Sequence, residues 1–130
     1  MDRLFLDANV LFSAAYQADA GLLHFWKLKH AILCSSRYAL EEARINLGEE
    51  SQRRRLSELA EGIQLFDVGS SELSISLPDK DEPILLAAIQ ARATHLITGD
   101  VRHFGPYFGK TVGGILILSP ADDLRRRHGR

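Results

Sequence analysis

What this chain lacks narrows the field first. Among its 130 residues Cys34 is the single cysteine, so no internal disulfide can form. Its place in the apolar run Ala31-Ile32-Leu33-Cys34 predicts a buried, inert thiol. A reducing, cytoplasmic setting suits such a chain. No apolar run reaches the roughly 18 residues that a membrane span requires, because Asp2, Asp7 and Asp19 interrupt the N-terminal stretch. Neither a signal peptide nor an anchor is legible, and there is no repeat, linker or low-complexity segment. A strong charge of one sign is missing too. The formal net charge is −1, which by itself argues against the overall attraction that nucleic-acid binders use. Positive charge is nevertheless concentrated at Arg53-Arg54-Arg55 and Arg125-Arg126-Arg127. Such runs read first as solvated helix faces or tails. If four acids were gathered in one metal site, however, the remainder of the chain would carry +3.

What is present is the composition of an ordinary globular protein, 45% hydrophobic and 25% charged. Residues 1–130 suit one domain that buries about two-thirds of its unfolded surface, with a short basic C-terminal tail from about residue 121. The pattern alternates strand and helix. Strands are predicted over residues 3–7, 31–35, 63–68, 95–98 and 113–118. Between them fall apolar-rich helical segments, one from near Asn9 and another after Gly21 carrying Leu22, Leu23, Phe25 and Trp26. A helix capped by Ser35 or Ser36 ends at Gly48, and another spans residues 49–61. The polar stretch 69–78 reads as a loop. Asp79-Lys80-Asp81-Glu82-Pro83 is a strong helix opening, because acids favour the positive end of the helix dipole and proline is tolerated in the first turn. Ile84, Leu85, Ala88 and Ala91 then keep a helical period. The expected architecture is a three-layer α/β/α sandwich around a largely parallel sheet of about five strands.

Two apolar runs end abruptly on an aspartate, Leu4-Phe5-Leu6-Asp7 and Leu96-Ile97-Thr98-Gly99-Asp100. Open α/β sheets bind ligands at the carboxyl ends of their strands, so both aspartates are expected in one crevice. Glu41 or Glu42 in the third helix and Asp81 at the late helix opening are the other candidates. Two bare carboxylates about 4 Å apart repel by roughly 4 kcal/mol at an effective dielectric near 20, so four together would protonate in part or recruit a cation. Oxygen-only ligands suit a hard divalent ion such as Mg2+ or Mn2+. Each acid has a duller reading as a turn or cap residue, most of all Asp81, which shares its helix opening with Asp79.

Phe5-Leu6-Asp7-Ala8-Asn9-Val10-Leu11, Ser36 with Glu42, Asp81-Glu82-Pro83-Ile84-Leu85, and Thr98-Gly99-Asp100 followed by His103-Phe104 occur in that order. Together they resemble the PIN domain, a family that includes the VapC-type toxin ribonucleases. The resemblance runs from near residue 3 to about Pro120. It implies a metal-dependent endoribonuclease in which Asp7, Glu42, Asp81 and Asp100 are catalytic and hold one or two Mg2+ or Mn2+ ions. The ions would activate water for in-line attack on an RNA phosphodiester, leaving 5′-phosphate and 3′-hydroxyl ends. Asn9, Thr98 and Ser36 would orient those carboxylates, Ser36 having a helix cap as its alternative role. The resemblance also implies an antitoxin partner covering the crevice, and a homodimer for which Tyr16, Phe25 and Trp26 are contact candidates. Many family members carry a further aspartate where this chain has His103, which is counted with Asn9, Thr98 and Ser36 among the residues that support the ligands, and catalysis with one tightly held ion is then expected as an alternative to two.

Two other functions compete. The same fold with a decayed metal site would be a catalytically inactive RNA-binding or interaction module. Asp7-Ala8-Asn9-Val10 with Gly99-Asp100 also resembles haloacid-dehalogenase-type phosphatases, but the aspartate those enzymes need as general acid is Asn9 here, and their later acid is Phe104. Gly105 to Thr111 ends like a phosphate-binding loop, yet has one residue too few between its glycines.

Overall fold

A computed structural model describes residues 1–67 and 82–128. The predicted loop 69–78 and the acids Asp79 and Asp81 lie outside the described residues. Among the described residues, strands β1 (Asp2–Leu6), β2 (Ala31–Ser36), β3 (Gln64–Phe66), β4 (His95–Ile97), β5 (Thr111–Val112) and β6 (Ile115–Leu118) form one sheet in the order β3-β2-β1-β4-β6-β5. Every pairing is parallel except β5 with β6. The helices are α1 (Ala8–Tyr16), α2 (Arg37–Asn46), α3 (Glu50–Ala60), α4 (Glu82–Gln90), α5 (Val101–Phe104) and α6 (Pro120–His128).

Consecutive side chains in the central strands are wholly buried: Leu4, Phe5 and Leu6 in β1, and Leu96 and Ile97 in β4, are all 0% exposed. Since neighbours along a strand point to opposite faces, both faces of the sheet must be covered. Helix α1 packs with α2 and α3, and α4 lies against β2 and β4. The result is the expected three-layer α/β/α sandwich. Local chemistry sets its element ends. The Ser36 hydroxyl accepts the Ala39 N–H at 3.0 Å to start α2, and the Glu49 N–H donates to the Gln52 side chain at 3.1 Å to start α3. Cys34 is fully buried, its thiol pushed up to about 11 by desolvation, as its apolar setting predicts.

Several expectations are corrected. The sheet has a further short strand, β5, and Gly113-Gly114 are not the start of the last strand. They form the tight turn between β5 and β6, with φ of +61° and +83° that suit glycine. The segment after Gly21 is a 3-10 helix over Gly21–Lys27. Within it Phe25 is 1% exposed and belongs to the core, and the half-buried Trp26 donates its indole N–H to the Leu59 carbonyl at 2.9 Å. Of the aromatic residues proposed for a dimer contact, Tyr16 is half exposed. Arg55 is not simply solvated: it donates to the Ala15 and Tyr16 carbonyls at 3.0 and 3.1 Å, closing the end of α1.

The segment read as a basic tail is helix α6, held by Arg127. That guanidinium grips Asp123 through two hydrogen bonds of 2.7 and 3.1 Å and reaches Asp2 at the start of β1 at 3.0 Å. Asp123 is only 2% exposed, and removing one partner of a buried pair leaves an uncompensated charge. Arg127→Ala is therefore expected to lower unfolding free energy by roughly 3 kcal/mol in urea titrations. A loss below about 1 kcal/mol would mean that α6 is held mainly by its apolar face.

Candidate active site at the strand ends

The connection from β1 leads to β2 on one side, while β4 pairs with β1 on the other. That reversal of direction opens a crevice at the carboxyl ends of β1 and β4. Asp7 follows β1 directly, its backbone N–H still donating to the Ile97 carbonyl at 3.0 Å. Its side chain caps α1: Oδ1 accepts the Ala8 N–H at 2.7 Å. Oδ2 accepts the Thr98 hydroxyl at 2.7 Å and the Asn9 amide at 3.2 Å. Asn9 in turn accepts the Gly99 N–H at 2.7 Å, and the Thr98 oxygen accepts the Asp100 N–H at 3.1 Å. A closed set of hydrogen bonds thus joins the end of β1 to the end of β4. A Cβ at Gly99 would lie 3.3 Å from the Asn9 side-chain oxygen, so this close approach favours glycine.

Asp7, Glu42 and Asp100 line one cleft of about 550 Å³, with Asn9 on its wall. Asp7 is 6% exposed, and its carboxyl is raised above the ordinary value of 3.8, first by desolvation. Hydrogen bonds from Thr98 and Ala8 oppose the shift, and the charges of Glu42 and Asp100 add to it. Glu41 faces elsewhere chemically, paired with Arg44 in an exposed ion pair that holds its carboxyl below the usual range. Glu42 is thus the helix acid that the cleft receives. Asp100 caps α5 through Oδ1, which accepts the His103 N–H at 3.1 Å, while Oδ2 meets His103 Nδ1 at 2.7 Å. Both residues keep part of their surface in solvent. Thr98 is buried beneath the cleft, and Ser36 is a buried helix cap. Asp81 lies outside the described residues.

Among the described residues no group of three or more His, Cys, Asp or Glu side chains closes into a ready-made metal cluster. The donor set nevertheless fits a hard divalent ion. It is made of carboxylate oxygens, and its most buried member is driven towards the neutral form by burial and by its acidic neighbours. Phe12, Tyr38 and Asn46 also line the cleft and were not singled out from the sequence, whereas Ile84 was read there as part of the late helix. The signal available was the spacing Tyr38, Glu42, Asn46, which repeats every four residues along one helix face.

With this geometry in place, the comparisons define a class. The PIN domain model matches residues 3–102, and the chain belongs to the PIN domain family. Solved structures that share its fold include the following two. A chain of VapBC2 from Rickettsia felis, bound to a DNA fragment from its promoter, aligns with a TM-score of 0.67 at 15% identity, covering 90% of this chain and 98% of that one. A chain of FitAB bound to the IR36 DNA fragment aligns with a TM-score of 0.53 at 16% identity, covering 90% and 94%. No curated protein matches in sequence.

The raised Asp7 carboxyl has a definite pH signature. A native state that holds this proton more tightly than the unfolded chain gains stability from it at low pH and loses that gain as pH rises from 3.8 through the higher folded value. In chelator, the stability of Asp7→Asn relative to the natural chain should therefore increase as pH is raised from about 4 to 7. Denaturant titrations across that range check it, and a pH-independent difference would show that desolvation of Asp7 is fully offset by its donors.

Proposed function

We propose that this chain is a divalent-metal-dependent endoribonuclease, the toxin of a toxin–antitoxin pair. The observation that carries the reading is the convergence of Asp7, Glu42 and Asp100 from three separate elements on one cleft, in a family whose nucleases hydrolyse nucleic acids. Asp7, Glu42, Asp100 and, by sequence, Asp81 would hold Mg2+ or Mn2+. When bound, such an ion supplies Lewis acidity and a water of lowered pKa. The chain's own groups do the positioning. Thr98 and Asn9 fix the Asp7 carboxylate from behind, so its orientation is set before any ligand arrives. His103 and the first turn of α5 hold Asp100. Hydrolysis joins a water oxygen to phosphorus and breaks the bond to the 3′ oxygen, which takes up a proton. Both structural neighbours come from assemblies bound to DNA fragments. Their belonging to VapBC and FitAB complexes supports extending the reading to an antitoxin partner, and a homodimer and a cytoplasmic setting are further parts of the proposal that rest on the family resemblance. Among the described residues no helix is long and apolar enough to cross a membrane.

One observation favours a second reading, an inactive RNA-binding module. His103, where many family members carry a further aspartate, sets its ring against Asp100 Oδ2 at 2.7 Å, so the site offers a cation one negative charge fewer. Cleavage of single-stranded RNA decides between the two readings. With Mn2+, the natural chain should cut internally, EDTA should abolish cutting, and Asp7→Asn and Asp100→Asn should each lower the rate at least a hundredfold. RNA binding without metal-dependent cleavage would select the inactive module.

The cation should also register in stability. Saturating Mn2+ at about a hundred times its Kd adds roughly 2.7 kcal/mol, a rise of several degrees in Tm for the natural chain and little for Asp7→Asn. An equal rise in both would place the ion elsewhere.

A further inference from the structure

We infer that Tyr38 is a base-stacking platform beside the acidic cleft, holding a nucleobase of a single-stranded substrate next to the reacting phosphate. The inference rests on the ribonuclease reading and adds to it the means by which the strand is retained. Among the described residues that line the cleft there is no lysine or arginine. On those walls the counter-charge for the strand is the cation that Asp7, Glu42 and Asp100 would hold, and it serves the reacting phosphate and not its neighbours along the chain. With a formal net charge of −1, the chain adds little general attraction until a cation is bound. Affinity for the bases beside the reacting phosphate then has to come from contacts other than ion pairing.

Tyr38 supplies one. Its residue is 57% exposed, and of the large exposed hydrophobic side chains among the described residues, Met1, Tyr16, Ile45, Val101 and Tyr38, it alone lines the cleft. It stands one helical turn before Glu42 on α2, a separation of about 6 Å along the axis. That is about one nucleotide step of an extended strand, so a base on the Tyr38 ring leaves its neighbouring phosphate at the carboxylates. Phe12 on α1 adds a second ring to the same cleft, its position supported by contact with Tyr16 at 5.5 Å between centroids. Aromatic faces take up any base, and only an unpaired strand can offer one, so such a platform would select single strands without a base-reading motif.

The test is binding of a short fluorescein-labelled single-stranded RNA, followed by anisotropy in Mg2+, with Asp7→Asn as the cleavage-deficient background. Adding Tyr38→Ala should weaken binding roughly tenfold, whereas Tyr38→Phe and Tyr38→Trp should stay within about twofold. The loss on Tyr38→Ala should be the same at low and high salt, since stacking releases no counterions. Tm should stay constant because the ring is on the surface. Unchanged RNA affinity in Tyr38→Ala, while the natural chain still cleaves RNA, would overturn the platform and leave the nuclease standing. A change in self-association in place of RNA affinity would do the same, assigning the ring to a protein interface. Absence of both cleavage and RNA binding in the natural chain would remove the nuclease reading and the platform together.

Discussion

The structure depends on one small set of hydrogen bonds, those that hold Asp7 between α1 and β4. A carboxylate that is 6% exposed is costly to bury unless its oxygens are paired. The donors available to it come from two distant parts of the chain: Ala8 and Asn9 on its own side, and Thr98 across the sheet. Thr98 can reach Asp7 only because β4 lies directly beside β1 in parallel, with Leu6 opposite Ile97. Had β4 paired one strand further out, Asp7 would lack its shortest side-chain bond. Strand order, the N-terminus of α1 and the shape of the cleft are thus parts of a single constraint, and Gly99 belongs to it because a side chain there would crowd Asn9.

The same constraint divides the labour of the molecule. The sheet interior is almost purely aliphatic and aromatic, and it stabilises the fold through apolar burial of the usual magnitude, roughly 25 cal/mol per Å². Polar chemistry is confined to the strand ends and edges. At the opposite pole, Arg3 at the start of β1 donates to the Ala91 carbonyl at 3.0 Å and to Gln64 at 3.1 Å, and Arg127 joins α6 to Asp2. The cationic side chains that the sequence concentrates in two runs include several such fasteners. Arg53 and Arg55 bond helix-terminal carbonyls, and Arg125 pairs with Asp122. Arg125 and Arg127 thus meet carboxylates, whereas Arg53 and Arg55 keep their net charge beside neutral carbonyls. The cleft walls, by contrast, carry no basic side chain among the described residues.

Much of this was legible in the sequence because parallel strands announce themselves. Leu4-Phe5-Leu6 and Leu96-Ile97 are uninterrupted apolar runs, and the polar residue that ends each run marks a strand end, where a crevice forms. Asp7 and Asp100 therefore stood out from local pattern alone. Glu42 did not, because it and Glu41 sit on the border of the same apolar stripe. A tertiary fact separates them: Arg44 captures Glu41, and α2 packs so that the Tyr38-Glu42-Asn46 face borders the cleft. Elements decided by long-range contacts were also misread. A two-residue strand such as β5 has too little periodicity to register, and a charged segment such as Ala121 to His128 looks like a tail until Asp2 and Asp123 are placed opposite Arg127. Phe25 and Trp26 likewise look equivalent in sequence, and only packing sends one into the core.

The acids of the cleft also serve as helix caps, and the magnitudes show which duty governs their charge. Asp7 caps the nine-residue α1, and Asp100 caps the single turn of α5. A cap contributes about 1 kcal/mol and a helix dipole a similar amount, both favouring the ionised carboxylate. Desolvation of a charge in a site this closed amounts to several kcal/mol in the other direction. For Asp7 desolvation wins, since its carboxyl stays above the ordinary range despite the Ala8 and Thr98 bonds. Capping alone would be served as well by a serine or an asparagine, which bury no charge. An aspartate at this position in spite of the penalty, with the negative charges of Glu42 and Asp100 close enough to deepen it, makes sense where positive charge arrives from outside the chain. On the reading proposed above, that charge is the divalent ion, and the unfavourable apo state becomes part of the driving force for binding it.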